Sequence, residues 1–222
     1  MAARTPRPGF VMLIQLILGL FLLAGAHNDR LLFQTNLGQA PADVRYVLET
    51  AAYHLHFKRG EVIFYFGNNA IRVQFGGYPV KRVPTGNARL DKVVRYIDSG
   101  DTQKPDVPTF AAVKYEALYS GVDLSCYGRG GQLECDFVVM PQADPGQIRL
   151  AVDGADRIKL DPAGDLALEA GGETLHVHKP TALQIEHGAR NPVDVRYQIT
   201  GGEIGIVVGQ YHHGIPLIID CH

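Results

Sequence analysis

Tryptophan is missing from all 222 residues, and serine occurs only at Ser99, Ser120 and Ser125. Scarce serine and the lack of any Gly-x-Ser-x-Gly segment argue against a serine hydrolase, whose nucleophile sits on a tight strand-to-helix turn. Neither sign of charge dominates, since 21 Lys plus Arg face 23 Asp plus Glu for a formal net charge of -2. A chain this close to neutral lacks the positive field that attracts nucleic acid, so no nucleic-acid partner is expected. Disorder is excluded as well, because 46% hydrophobic residues give enough apolar surface to offset chain entropy. No glycine-rich loop joins a strand to a helix to cradle phosphate, and no Cys-x-x-Cys or His-Glu-x-x-His pattern marks a metal. No cofactor and no metal are expected.

Long apolar runs are absent apart from Phe10 to Leu23. Arg4 and Arg7 precede that run and Ala24-Gly25-Ala26 follows it, which is the charged, apolar and small-residue order of a secretory signal. The run is shorter than the ~20 residues that span a bilayer and is interrupted by Gln15 and Gly19. Residues 1–26 are read as a signal peptide and 27–222 as one module. The only membrane contact expected is through that segment if it stays uncleaved. Its two arginines leave with it, taking the formal charge to -4. The expected location is outside the cytoplasm: extracellular, cell-surface or periplasmic.

What the chain has in quantity is 25 Gly and 13 Pro, set between short alternating runs. Val44 to Leu48, Tyr53 to Phe57, Val62 to Phe66, Ile71 to Phe75, Val122 to Tyr127, Gln132 to Val139 and Ile204 to Val208 alternate apolar and polar residues. Period-two alternation is the mark of half-buried strands. Gly130-Gly131, Gly171-Gly172 and Gly201-Gly202 supply the positive φ that two-residue hairpins need. Only Asp43 to Thr50 and Lys114 to Tyr119 offer a helical turn. The expected fold is all-β: an antiparallel multi-stranded β-sandwich, as one body or two packed lobes divided near 76–108, preceded by the signal helix.

If Gly130-Gly131 is the turn, Arg129 faces Gln132, Tyr127 faces Glu134 and Cys126 stands opposite Cys135. Directly opposed residues bring their Cβ atoms to about 4.5–5.5 Å, within modest adjustment of a disulfide. Export favours the bond; in a reducing compartment the two would be small buried hydrophobes. Cys221 is left over. The same parity places Leu124, Leu133 and Phe137 beside the cysteines, on the face expected to be buried. Asp123, Glu134 and Asp136 fall on the other face. Asp123 and Asp136 are the candidate carboxylate pair, the arrangement glycoside hydrolysis uses when the groups lie about 5–10 Å apart. Polar residues alternate outward on any sheet with one wet face, which is the competing explanation. His54 with His56 and His176 with His178 each share a strand face, without a third ligand at a metal-site spacing.

The segment Phe33-Gln34-Thr35-Asn36-Leu37-Gly38-Gln39, followed by Val44-Arg45-Tyr46, resembles the opening of an N-terminal domain of bacterial secreted proteins. The likeness continues through Val107-Pro108-Thr109-Phe110, Tyr119-Ser120-Gly121-Val122-Asp123-Leu124, Asp136-Phe137-Val138-Val139, Lys179-Pro180 and Pro216 to Asp220. That family is an all-β domain of unknown function that precedes β-propeller (SBBP) repeats in cell-surface proteins. The resemblance implies an extracellular module and carries over no catalytic residue. The chain departs from the pattern in having cysteines at 126 and 135, where aromatic residues are usual. It also lacks a tryptophan-containing stretch between Tyr96 and Lys104, and it reaches Cys221-His222 where the propeller repeats would begin.

The expected function is that of a non-catalytic exported module with a structural or interaction role beside propeller repeats, meeting a propeller domain, a surface protein or a glycan. The alternative is a glycan-active hydrolase or carbohydrate-binding module working through Asp123 and Asp136.

Overall fold

The computed structural model describes residues 30–76, 82–96 and 105–221. The expected signal helix at 1–26 lies outside them, as do parts of the irregular stretches around Pro79 and Asp101. The described residues contain eighteen strands and one short 3-10 turn at Pro145–Gln147. In chain order the strands are β1 (Phe33–Thr35), β2 (Val44–Glu49), β3 (His54–Lys58), β4 (Glu61–Phe66), β5 (Asn69–Phe75) and β6 (Thr85–Val94). There follow β7 (Val107–Tyr119), β8 (Val122–Arg129), β9 (Gln132–Val139), β10 (Arg149–Asp153), β11 (Arg157–Leu160) and β12 (Leu166–Ala170). The last six are β13 (Glu173–Val177), β14 (Thr181–Glu186), β15 (Ala189–Val193), β16 (Val195–Thr200), β17 (Glu203–Val208) and β18 (Leu217–Cys221).

All observed pairings are antiparallel. One hydrogen-bonded path runs β15-β14-β18-β9-β8-β7-β1-β2-β3-β4-β5-β10-β17-β16, with β6 added to β7. Laid flat, fourteen strands at ~4.8 Å spacing would separate the two edges by about 60 Å. The chain forbids that. β15 ends at Val193 and β16 begins at Val195, and two peptide units reach at most ~7 Å. Asp194 therefore ties one edge of the sheet to the other, and its carbonyl accepts a hydrogen bond from Gly209 N at 2.7 Å. The sheet curls until β14 lies beside β16, giving a nearly closed barrel. The pairings do not bear out the sandwich expectation: fifteen of the described strands belong to one curled sheet, and alternation reports which face is buried, not which strands are neighbours.

Strand alternation fills the barrel from inside. Leu55 and Phe57 of β3, Val113 and Tyr115 of β7, Leu124 and Cys126 of β8, and Leu217 and Ile219 of β18 are buried at every second position. A second, three-stranded sheet, β11-β12-β13, sends Leu166, Leu168 and Leu175 to the same interior. It is fastened to the barrel where Asn69 Nδ2 donates to Glu173 Oε2 at 3.2 Å. All of these residues belong to one apolar core.

The two helical-turn candidates are strands with irregularities. Residues 44–49 form β2, whose register against β3 shifts between Val44 and Tyr46. Residues 114–119 belong to β7, whose register against β8 shifts between Tyr115 and Tyr119. There Ala117 adopts φ 44°, and its N–H donates to Asp123 Oδ1 at 2.7 Å. A bulge inserts an extra residue and breaks strict alternation, which mimics helical spacing over a few positions. The Gly130-Gly131 turn is as expected, with φ of 59° and 81°, the two positive values of a type I′ hairpin.

Tyr115 is fully buried, yet its hydroxyl reaches across the barrel to donate to the carbonyls of Lys58, at 2.9 Å, and Glu61, at 3.1 Å. Burial pushes its pKa well up, so it stays a phenol and a donor. It thereby clasps the β3–β4 hairpin to β7. Removing the hydroxyl leaves enclosed carbonyls without this partner, an effect of about 1–2 kcal/mol. We expect Tyr115→Phe to lower the unfolding free energy by that amount, read as a lower denaturant midpoint at an unchanged m-value; a variant as stable as the parent would show that the clasp carries no load.

Candidate functional site

The sequence directs attention to strands β8 and β9, and the structure sets their two faces apart chemically. Arg129 pairs with Gln132, Tyr127 with Glu134 and Cys126 with Cys135, the register expected from the glycine turn. Cys126 and Cys135 form a disulfide with Cα atoms 4.1 Å apart. On the next strand, β18, Cys221 is the register partner of Cys135. Three cysteines thus stand in a row across β8, β9 and β18, all on the barrel's inner face. Cys221 is the free one. Burial pushes its thiol up to about 12, against the pull of a hydrogen bond from the Tyr197 hydroxyl, so at neutral pH it rests as the thiol.

The outer face carries the carboxylates. Asp123 and Asp136 share that face, opposite Val138 and Ser125 respectively, but each is bound to its own partners. Asp123 Oδ2 lies 2.9 Å from Lys114 Nζ, and its Oδ1 holds the Ala117 bulge. Burial raises its pKa, but the Lys114 contact and the Ala117 N–H outweigh it and the net shift is downward. Asp136 differs. Burial raises its pKa, the Tyr127 hydrogen bond opposes this, and the nearby Asp220 charge adds to the rise. Its Oδ2 accepts from the Tyr127 hydroxyl at 2.9 Å, while Oδ1 is enclosed with no donor among the described residues. Arg129 balances part of this charge, with Nη1 2.8 Å from Glu134 Oε2 and 3.8 Å from Asp220 Oδ2. The cluster of Tyr127, Arg129, Glu134, Asp136 and Asp220 was half visible beforehand. Asp220 and Arg129 join it only through the β18 pairing and the hairpin turn.

His54 and His56 lie side by side, with ring centroids 5.7 Å apart. His54 stacks on Tyr65 with ring centroids 4.5 Å apart, and His56 meets the same ring edge-on at 4.8 Å. Burial, then the nearby His54 and Lys58 charges, lower the His56 pKa. His178 Nδ1 sits 3.0 Å from Asp165 Oδ2, and Asp165 Oδ1 accepts from Lys179 N at 2.7 Å. Among the described residues no three His, Cys, Asp or Glu side chains gather as a metal site would require.

The feature that sequence reading missed is internal. A chamber of about 230 Å³ occupies the barrel, walled by Phe57, Phe66, Phe75, Leu124 and Ile204 and roofed by Leu166, Leu168 and Leu175. The row of three cysteines forms part of its wall. Protein interiors pack as densely as organic crystals, with few voids larger than a water. Alternation shows that these residues point inward, but the space left between them depends on the curvature of the sheet.

The cysteine row gives a direct test. With Cys126→Ser, Cys221 is the only thiol opposite Cys135, so peptide mapping of the oxidised, non-reduced variant should recover a Cys135–Cys221 disulfide. Two free thiols in that variant would contradict the observed β9–β18 register.

A family model described as a domain of unknown function (DUF7948) matches residues 33–221. No curated protein and no solved structure matches the chain.

Proposed function

The chain belongs to this family of domains of unknown function, and on that premise we propose that it is a non-catalytic, exported module with a structural or interaction role in a larger bacterial surface protein, beside β-propeller (SBBP) repeats. One observation carries the reading: the two candidate carboxylates are bound by separate sets of protein partners and share none. Asp123 pins a bulge and a lysine, and Asp136 is held by Tyr127 under a cluster of further carboxylates. The leader-like sequence at 1–26 and the cross-strand disulfide support export, since disulfides persist mainly in oxidising compartments. Surfaces of this kind meet proteins or glycans through side chains on the outer sheet rather than through a reacting centre.

The two aspartates then behave as structural groups of opposite sign. Asp123 has a lowered pKa, so its stabilising effect is present above the unfolded value near 3.8 and is lost as pH falls through the folded one. Asp123→Asn should cost about 1 kcal/mol at pH 7, and this cost should fade in acid. Asp136 has a raised pKa, so its ionisation disfavours the fold as pH rises through that value. Asp136→Asn should stabilise the domain at pH 7, with the gain vanishing in acid. Denaturant melts from pH 3 to 8 measure both trends. Incubating the domain with a polysaccharide panel tests the reading itself. No new reducing ends are expected, and turnover abolished by either Asn variant would overturn it in favour of a glycan hydrolase.

A further inference from the structure

We propose that the barrel interior is a binding site for one small, uncharged, hydrocarbon-rich molecule. The claim goes beyond the module reading, because it concerns the space inside the sheet rather than the surface outside it.

The lining defines the ligand's chemistry. Among the described residues that line the chamber there is no Asp, Glu, Lys or Arg. Five of the side chains that line it are polar: Tyr53, Gln132, His176, His178 and Tyr197. Tyr197 is occupied with the Cys221 sulfur, Tyr53 with the Leu133 backbone, and His178 with Asp165. A charged group brought inside would be stripped of water with no counter-charge among the described lining residues. A hydrocarbon surface loses nothing of the kind and gains contact with rings on several sides.

The size narrows the choice further. An apolar cavity of about 150 Å³ stays dry and takes up benzene, and drug-sized pockets start near 300 Å³. At about 230 Å³ the chamber admits a single ring with a short alkyl substituent, or an alkyl segment of similar bulk. Entry is placed where the polar lining gathers. The glycine turn of the β8–β9 hairpin contributes Gly131 and Gln132, and the end of β13 contributes His176 with His178 following it. Gly131, Gln132, His176 and His178 are half-buried, unlike the deep wall residues Phe57 and Leu124. A molecule passing between them crosses from a wet rim to a dry interior.

Toluene is the probe. In the oxidised, folded domain labelled at its methyl groups, toluene should shift the Leu55, Leu124 and Leu168 signals saturably below its solubility limit. Val73→Phe places a ring in the chamber from β5. If it keeps the parent's methyl and amide fingerprint, it should bind toluene at least tenfold more weakly. Leu150→Phe, from the neighbouring β10, serves the same purpose should Val73→Phe not fold. No saturable shift in the parent, or undiminished binding in a folded filled variant, overturns the proposal. Either result leaves the module reading intact, since that reading stands on turnover at the outer face.

Discussion

A single residue, Asp194, decides the shape of this protein. The sheet's two outermost strands, β15 and β16, are consecutive in the chain, while the hydrogen-bonded path between them passes through every other member of the main sheet except β6. A flat sheet of that width cannot satisfy a link of two peptide units, so the sheet must curl. Everything else follows from that closure. The inner positions of the strands converge, the outer positions fan apart, and the three-stranded sheet has an interior to cover. The native right-handed twist of antiparallel strands assists the curl, but the short link fixes which edges meet.

Closure also divides the chemistry into two sides. Outside, charged groups are distributed as partners of the fold: Lys114 with Asp123, Arg129 with Glu134, Lys58 with Asp43 and Glu61. Inside, the chain places aromatic rings, branched aliphatics and all three cysteines. The disulfide lies on the dry side of the same two strands whose wet side carries Asp136 and Tyr127. Burial holds the free thiol of Cys221 in its protonated form beside the disulfide, and it is the thiolate that attacks a disulfide sulfur.

Much of this was legible in the residues. Alternation located most of the strands, and the Gly130-Gly131 pair set the register of β8 on β9 to the residue. Local rules suffice there, because a two-residue turn fixes which side chains oppose each other. Global arrangement was not legible. The partnership of Cys135 with Cys221 and of Asp136 with Asp220 depends on β18 pairing with β9, across nearly the full length of the second half of the chain. The bulge at Ala117 was mistaken for a helical turn, because one extra residue disturbs a period of two in the way a helix would. The short β1 and the polar, exposed β15 went unread because neither has enough apolar alternation to register. Hidden above all was the chamber, since unfilled volume is a property of curvature rather than of any residue.

The account holds that the β11–β13 sheet seats over a dry interior formed by the curled main sheet. Because the chain contains no tryptophan, one introduced at Leu168 reports on that interior alone. Leu168 is 3% exposed and lines the chamber, which has room for part of the indole. The account predicts blue-shifted emission from Leu168→Trp that acrylamide fails to quench until the protein unfolds. Emission at the wavelength of free tryptophan in water, freely quenched in the folded state, would contradict it.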